Sequence, residues 1–415
     1  MLNKLFTRKS GLLIVYLAIL PIATAVSVLQ RYGDMIYVVE GARPMVVLFN
    51  VGYLCAVLYL TSTPSKLVAR YLTKPFVVLV IMYATTTLAL AISRFHFSLG
   101  FVAIFVSVTT LWVMLIERGR HNFQKDWKYV LVKHGRWNIL DDSDLNLEYV
   151  EKSSELKNKD YSTIIVDYGV SLSDDWLAVL SEKALSDVTV VNLADLFEIE
   201  KQRVSLDVFK DDQLPHTIAV DIYSPIKRIF DIGLSLLALI ALALPVTILA
   251  IIIRLASEGP GVYKQTRIGK NGRQFSLYKL RTMYFDAEQS GPMFSANDDP
   301  RVTGIGRFLR RYKIDELPQI LNVLKGDMSI VGPRPERPQW VEGFKRNIPY
   351  YDLRHVVRPG ITGWAQVKQG YAIGESESIR KLEYDLYYIK HMGPLFELGI
   401  IVQTLRVLFF KTTYG

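Results

Sequence analysis

Five apolar runs of bilayer-crossing length punctuate this chain, and four of them crowd into its first 120 residues. The four are Gly11 to Gln30, Met45 to Ser62, Phe76 to Ser93 and Leu99 to Glu117, each close to the roughly 17–25 residues that a membrane helix needs. No small-residue cleavage site followed by a soluble domain succeeds the first run, so it reads as a span and not as a signal peptide. Lys and Arg mark cytoplasmic flanks. Lys4, Arg8 and Lys9 precede the first run, Lys66, Arg70 and Lys74 fill the second loop, and Arg118, Arg120, Lys125 and Lys128 follow the fourth. Arg31 and Arg43 in the first loop are offset by Asp34 and Glu40. A four-helix block over 1–120 with both ends in the cytoplasm is expected. The formal charge of +9 falls to these flanks and to the chemistry-bearing segments below, so anionic lipid and an anionic substrate are the expected partners, and nucleic acid is not. The single cysteine, Cys55, lies inside an apolar run and can build neither a disulfide framework nor a cysteine zinc site.

From 127 to 208 the composition turns soluble. Short β-rich runs (Tyr129 to Lys133, Thr163 to Asp167, Val188 to Asn192) alternate with helix-like stretches such as Asp174 to Ser186, the pattern of a small α/β domain. Its first strand leads into Lys133-His-Gly-Arg136, which lacks the repeated glycines of a pyrophosphate-binding turn; a scaffolding or oligomerisation role is expected instead. Residues 209–223 read as a linker to a final domain, 224–415. The fifth run, Ile232 to Ile253, has Lys227 and Arg228 before it, Arg254, Lys264 and Arg267 after it, and Pro245 near its middle. Basic flanks on both sides and a proline that removes a helical hydrogen bond suggest a helix that enters, breaks and returns. An ordinary kinked span stays open as the alternative.

The final domain carries the chemistry. Arg310, Arg311 and Lys313 stand just ahead of Asp315-Glu-Leu-Pro318, where Asp315 fits a helix N-cap with Pro318 in the first turn. A carboxylate there stays ionised beside the helix dipole and can help hold a phosphate or a metal; a capping Asp with a solvated Glu316 fits the same segment. Arg334 is locked between two prolines in Gly332-Pro-Arg-Pro335, a rigid guanidinium suited to a phosphate or a pyrimidine edge. Arg358, in Arg358-Pro-Gly-Ile-Thr-Gly363, has a similar setting. Lys279 and Arg281 alternate along Tyr278 to Met283, which would put both on one side of a strand as a diphosphate contact. For these three segments a structural turn or a solvated edge strand remains equally open. Leu382 to Lys390 and Pro394 to Phe410 read as amphipathic helices for an interface or a core.

Lys227-Arg-Ile-Phe-Asp231, Tyr278 to Met283, Asp315-Glu-Leu-Pro-Gln319, Asn322 to Met328, Gly332 to Pro335 and Arg358 to Gln366 together resemble the bacterial sugar transferases, the polyprenyl-phosphate hexose-1-phosphate transferases, from about Tyr223 to the C-terminus. The resemblance implies a monotopic catalytic domain held by a re-entrant helix broken at Pro245. It implies Asp315 as nucleophile and Mg²⁺ ligand, Glu316 as its catalytic partner, and Lys279, Arg310 and Arg334 as substrate contacts. Four spans, a small cytosolic Rossmann-like α/β domain and this catalytic domain look like the larger members of the family, which start exopolysaccharide or O-antigen (lipopolysaccharide) assembly at the bacterial inner membrane. The expected substrates are a UDP-hexose, glucose or galactose, and undecaprenyl phosphate, with UMP released through an aspartyl-phosphosugar intermediate. One departure is Leu244, where the family usually has serine before the breaking proline. A membrane scaffold for a polysaccharide assembly complex and a glycosyltransferase that releases UDP are the rival readings. A homo-oligomer is left open.

Overall fold

The computed structural model describes residues 9–20, 22–24, 43–62, 79, 82–84, 86–87, 99–124, 129–140, 145–157, 161–186, 188–207, 218–285, 287, 299–369 and 374–410. The chain divides into two compact units, Met1–Glu200 and Lys201–Gly415.

In the first unit, helices α1 (Lys9–Leu17), α2 (Arg43–Ser62) and α3 (Leu99–Gln124) coincide with three of the four early apolar runs. The third run, 76–93, lies largely outside the described residues, as does most of the expected linker. Tyr16, Phe49, Tyr53 and Phe105 are fully buried between the helices. Polar ends on aromatic bodies tie them together: Tyr53 Oη donates to Tyr16 O at 2.9 Å and Trp112 Nε1 to Val15 O at 3.0 Å.

The soluble part of this unit is a four-stranded parallel sheet, β1 (Tyr129–Val132), β2 (Leu147–Val150), β3 (Thr163–Val166) and β4 (Thr189–Asn192), in the order β2-β1-β3-β4. Apart from Thr163 the central strands are apolar because both faces are covered: Val130, Leu131, Ile164, Ile165 and Val166 are entirely buried. Between the strands run α4 (Ser153–Lys157) and α5 (Asp174–Leu185), and α6 (Leu193–Lys201) follows β4. At the carboxyl ends of β1 and β3, where the strand order reverses and such sheets take ligands, the protein fills the crevice itself. Arg136 Nε and Nη2 each donate to the fully buried Asp167 carboxylate at 3.0 Å, and the Arg136 and Gly169 amides donate to it at 3.1 and 2.8 Å. Burial works to raise the Asp167 pKa, but these hydrogen bonds outweigh it and hold the carboxyl below its ordinary value.

The second unit begins with α7 (Ile218–Ala256), 39 residues or about 58 Å of helix. Its stretch Tyr223–Ala256 is the one helix among the described residues long and apolar enough to cross a membrane, and its most apolar window, mean hydropathy 3.0, is almost wholly exposed. Helical structure continues through Pro245, so the expected break does not interrupt the element; a proline removes one donor without forcing the chain out of helical φ. Two residues further on, Thr247 Oγ1 back-bonds to Ala243 O at 2.8 Å, a contact that favours bending. Both ends of α7 dock on the rest of the unit. Near its start, Lys227 Nζ pairs with Glu397 at 2.6 Å, Arg228 donates to Val323 O and Leu324 O, and Asp231 accepts from Ile330 N at 3.1 Å. Near its end, Ile253 packs with Leu280 and Leu309.

An antiparallel hairpin follows, β5 (Val262–Ile268) and β6 (Gln274–Leu280), then α8 (Gly304–Arg311), a 3₁₀ turn (Ile314–Gln319) and α9 (Ile320–Lys325). A short parallel pair joins β7 (Ser329–Val331) to β8 (Gly360–Thr362), with α10 (Pro338–Asn347) between them. Helices α11 (Trp364–Lys368), α12 (Glu375–His391) and α13 (Pro394–Phe410) close a core around Val331, Tyr351, Trp364, Leu386, Tyr388 and Ile400. The amphipathic reading of the last two helices thus resolves, on α12, to core packing.

Candidate active site

Asn322 holds the site together. Wholly buried on α9, it accepts from Tyr278 N at 3.0 Å and donates to Ser276 O at 2.7 Å, so the turn that carries the acids is fastened to β6. Gly326, at φ 93°, then ends α9 and returns its amide to Asn322 O and Val323 O, a left-handed cap that glycine alone adopts without strain.

The acids do not cap a helix. Lys313 precedes the turn in the left-handed conformation (φ 52°, ψ 23°), Glu316 N donates to Lys313 O at 3.2 Å, and Asp315 lies inside the 3₁₀ turn. The N-cap reading of Asp315 is therefore corrected to a position within the first turn. Pro318 is accommodated there, as expected. Both acids are 8% exposed, and of the two only Glu316 has direct ion pairs among the described residues.

Glu316 Oε1 accepts from Lys279 Nζ at 3.0 Å and from Arg334 Nη2 at 2.7 Å. Burial opposes ionisation of Glu316, but Arg334 and Lys279 hold its carboxyl well below the usual range. Asp315 has no direct hydrogen bond or salt bridge among the described residues, and burial pushes its pKa up. Lys279, Arg310 and Arg334 oppose that rise and the Glu316 charge adds to it. Arg310 is held by Thr282, whose Oγ1 accepts from Nε at 2.8 Å. Burial lowers the pKa values of Lys279 and Lys313, opposed in each by the Glu316 charge. Four cations, Lys279, Arg310, Lys313 and Arg334, thus interact with two carboxylates, a net positive cluster suited to a diphosphate. A carboxylate less tightly held by cations is the more basic, and so the better nucleophile.

Two expected contacts are elsewhere. Arg281 falls one residue beyond β6 and is 6% exposed. Its guanidinium donates to the carbonyls of Ile253 (3.2 Å), Ser257 (2.8 Å) and Glu258, so it caps the end of α7, where helix carbonyls lack partners. Lys279 thus reaches Glu316 while Arg281 reaches the end of α7, so the two are not brought to one acid. Arg358 Nε donates to Gly326 O at 3.0 Å at the end of α9, which caps that helix. Lys313, which the sequence sets among the cations ahead of the acids but which was not among the expected substrate contacts, interacts with both acids from a left-handed backbone that a lysine rarely takes.

Among the described residues no group of three or more His, Cys, Asp or Glu side chains gathers for a metal. Mg²⁺ commonly uses only one or two carboxylates, completing its shell with water and substrate phosphate. Asp315, whose carboxylate has no cation bound directly to it, meets that requirement; Glu316, doubly held, does not.

A hairpin, an acid-bearing turn and a rigid Arg loop grouped beside a long apolar helix define a membrane-attached enzyme for a phosphorylated substrate. The family described as bacterial sugar transferase matches residues 222–411. A UDP-N-acetylgalactosamine-undecaprenyl-phosphate N-acetylgalactosaminephosphotransferase of Aeromonas hydrophila is 36% identical over 315 residues, covering 73% of this chain and 71% of that protein. A UDP-glucose:undecaprenyl-phosphate glucose-1-phosphate transferase of Escherichia coli is 40% identical over 183 residues, 43% of this chain and 39% of that one. The exopolysaccharide production protein PSS of Rhizobium leguminosarum is 41% identical over 185 residues, 43% of this chain and 92% of that one. The chain belongs to the bacterial sugar transferase family and is a phosphoglycosyl transferase.

Proposed function

We propose that the enzyme transfers a sugar 1-phosphate from a UDP-sugar to undecaprenyl phosphate, with Asp315 as covalent nucleophile. The observation that carries this reading is the split between the two acids: Glu316 is fixed by Lys279 and Arg334, while the more basic Asp315 has no direct partner among the described residues. An Asp315 oxygen attacks the sugar-linked phosphorus, the phosphoric anhydride bond breaks, and UMP leaves with the electron pair. An oxygen of undecaprenyl phosphate then attacks the same phosphorus and releases Asp315, giving the diphosphate-linked sugar. Lys279, Arg310, Lys313 and Arg334 balance the charge that gathers on the phosphoryl oxygens, and Glu316 keeps two of them in place. Mg²⁺, held by Asp315 and the diphosphate, would supply further charge neutralisation.

A similarity too long to lie within the second unit alone is to a transferase named for N-acetylgalactosamine, which makes UDP-N-acetylgalactosamine the first donor to test, ahead of the glucose and galactose expected from resemblance to exopolysaccharide initiators. Purified protein, undecaprenyl phosphate and UDP-N-acetylgalactosamine, UDP-glucose or UDP-galactose should release UMP with at least one donor. Release of UDP would replace the proposal with plain glycosyl transfer.

The four early runs are read as spans and α7 as re-entrant. In a straight helix Asp231 and Ile253 would be about 33 Å apart. Yet Ile330, the partner of Asp231, packs in the cluster of Leu277, and Ile253 packs with Leu280, only about 10 Å further along β6. That geometry favours a bend and an entry and exit on one side. With Cys55 replaced by Ala, cysteines at the exposed Ile226, next to Lys227, and at Lys270 should both resist an impermeant thiol reagent in intact cells and both react in inverted vesicles. Labelling of the Lys270 position alone from outside would establish a full crossing.

A further inference from the structure

Each of the four carbonyls from Pro333 to Glu336, in the loop that carries Arg334, is held. Pro333 O accepts from Gly360 N at 2.9 Å, Arg334 O from Arg354 Nη2 at 3.0 Å, Pro335 O from Arg267 Nη1 at 3.2 Å, and Glu336 O from Ile268 N at 2.9 Å. Prolines at 333 and 335 have no N–H, so the carbonyls are the handles by which such a loop can be fixed. Two of the four donors are backbone amides. The other two are guanidinium groups, and the one on Arg334 itself comes from Arg354.

Arg354 is 3% exposed. Its Nη1 donates to Tyr351 Oη at 2.6 Å, and its Nη2 serves both Asp385 Oδ2 at 2.7 Å and Arg334 O. Asp385 shares the core face of α12 with Leu382, Leu386 and Ile389, and is 1% exposed. A buried ion pair is a poor device for stability, since apolar residues of similar volume often serve as well or better. What an apolar pair could not do is present a donor to the Arg334 carbonyl. Among the described residues Arg354 bonds to Tyr351, Arg334 O and Asp385 and to neither acid, so its influence on the chemistry passes through Arg334.

We propose that Arg354, anchored by Asp385 and Tyr351, is a positioning residue that sets the reach of the Arg334 guanidinium toward Glu316. The proposal rests on the reading of Asp315, Glu316 and Arg334 as the transferase site. Lysine at 354 keeps a positive charge near Asp385 but lacks the planar fork that bonds Asp385, Tyr351 and Arg334 O together.

The test uses the full chain, undecaprenyl phosphate and the UDP-sugar that gives most UMP in the assay above. Arg354→Lys should lower kcat by about 100-fold with little change in the KM of the donor. In the Arg334→Lys background the same change should have almost no further effect, because the group being positioned is already gone. Tyr351→Phe, which removes one anchor and leaves the pair with Asp385, should show a smaller kcat loss that also disappears in that background. Thermal unfolding of each variant identifies any loss of fold, and if Arg354→Lys does not fold, the Tyr351→Phe cycle decides. Effects that multiply fully in the double variants would overturn the positioning role and leave Arg354 a core residue. Full turnover by Asp315→Asn would instead remove the underlying site, whatever the cycles give.

Discussion

Asp167 and Asp315 are both buried aspartates beside arginines, one in each unit of the molecule, and the structure uses them in opposite ways. Asp167 accepts four hydrogen bonds from Arg136 and the Arg136 and Gly169 amides, and its pKa falls. Asp315 has cations nearby but none in direct contact among the described residues, and its pKa rises. A satisfied acid supports a fold. One left partly unsatisfied stores the reactivity that a nucleophile needs, and the difference lies in hydrogen bonding, since burial is common to both.

The sharpest break of this comparison is Asp315→Asn, which should lower UMP release by at least about 10³-fold while the protein still folds and inserts. Wild-type turnover would place Asp315 with Asp167 as a structural acid. Next in size, Asp167→Asn should destabilise the α/β sheet by about 3 kcal/mol, read as faster hydrogen exchange in β1 and β3, with UMP release at low temperature essentially unchanged. Preserved protection would show that the crevice does not depend on its ion pair.

The smallest effect is on stability at the site itself. A folded-state pKa above the ordinary 3.8 means that ionised Asp315 costs the folded state free energy at neutral pH. That cost is fully present above the raised pKa and vanishes below 3.8, where the folded and unfolded forms are both protonated. Asp315→Asn should therefore unfold at a higher temperature than wild type near pH 7, and the advantage should shrink as the pH falls toward 3.8. A lower midpoint at pH 7 would show that Asp315 is held by favourable contacts after all.

The sequence revealed the parallel sheet where strands are apolar on both faces: the expected runs at 129, 163 and 188 became β1, β3 and β4 within a residue or so. It did not reveal β2, whose Leu-Glu-Tyr-Val lies at the sheet edge with Glu148 and Tyr149 exposed, so its pattern is that of a loop. In the site, Lys279 was legible from strand alternation, but Arg281 was not, because alternation stops at Leu280 where β6 stops. Arg354 had no local signal. Asp385 did, as a charge on the buried face of an apolar helix, but its partner is 31 residues away in the chain and only the fold pairs them.

Lys313 has a consequence for anyone who would engineer this enzyme. Its left-handed backbone is strained for any residue with a Cβ, and glycine there would relieve roughly 1 kcal/mol. A search for thermostable variants should therefore select Lys313→Gly. The same search would discard an ammonium that interacts with both Asp315 and Glu316, and the hardier protein should turn over its substrate more slowly. Heat resistance is thus a misleading guide at this position, and screens on it should be paired with an assay of UMP release.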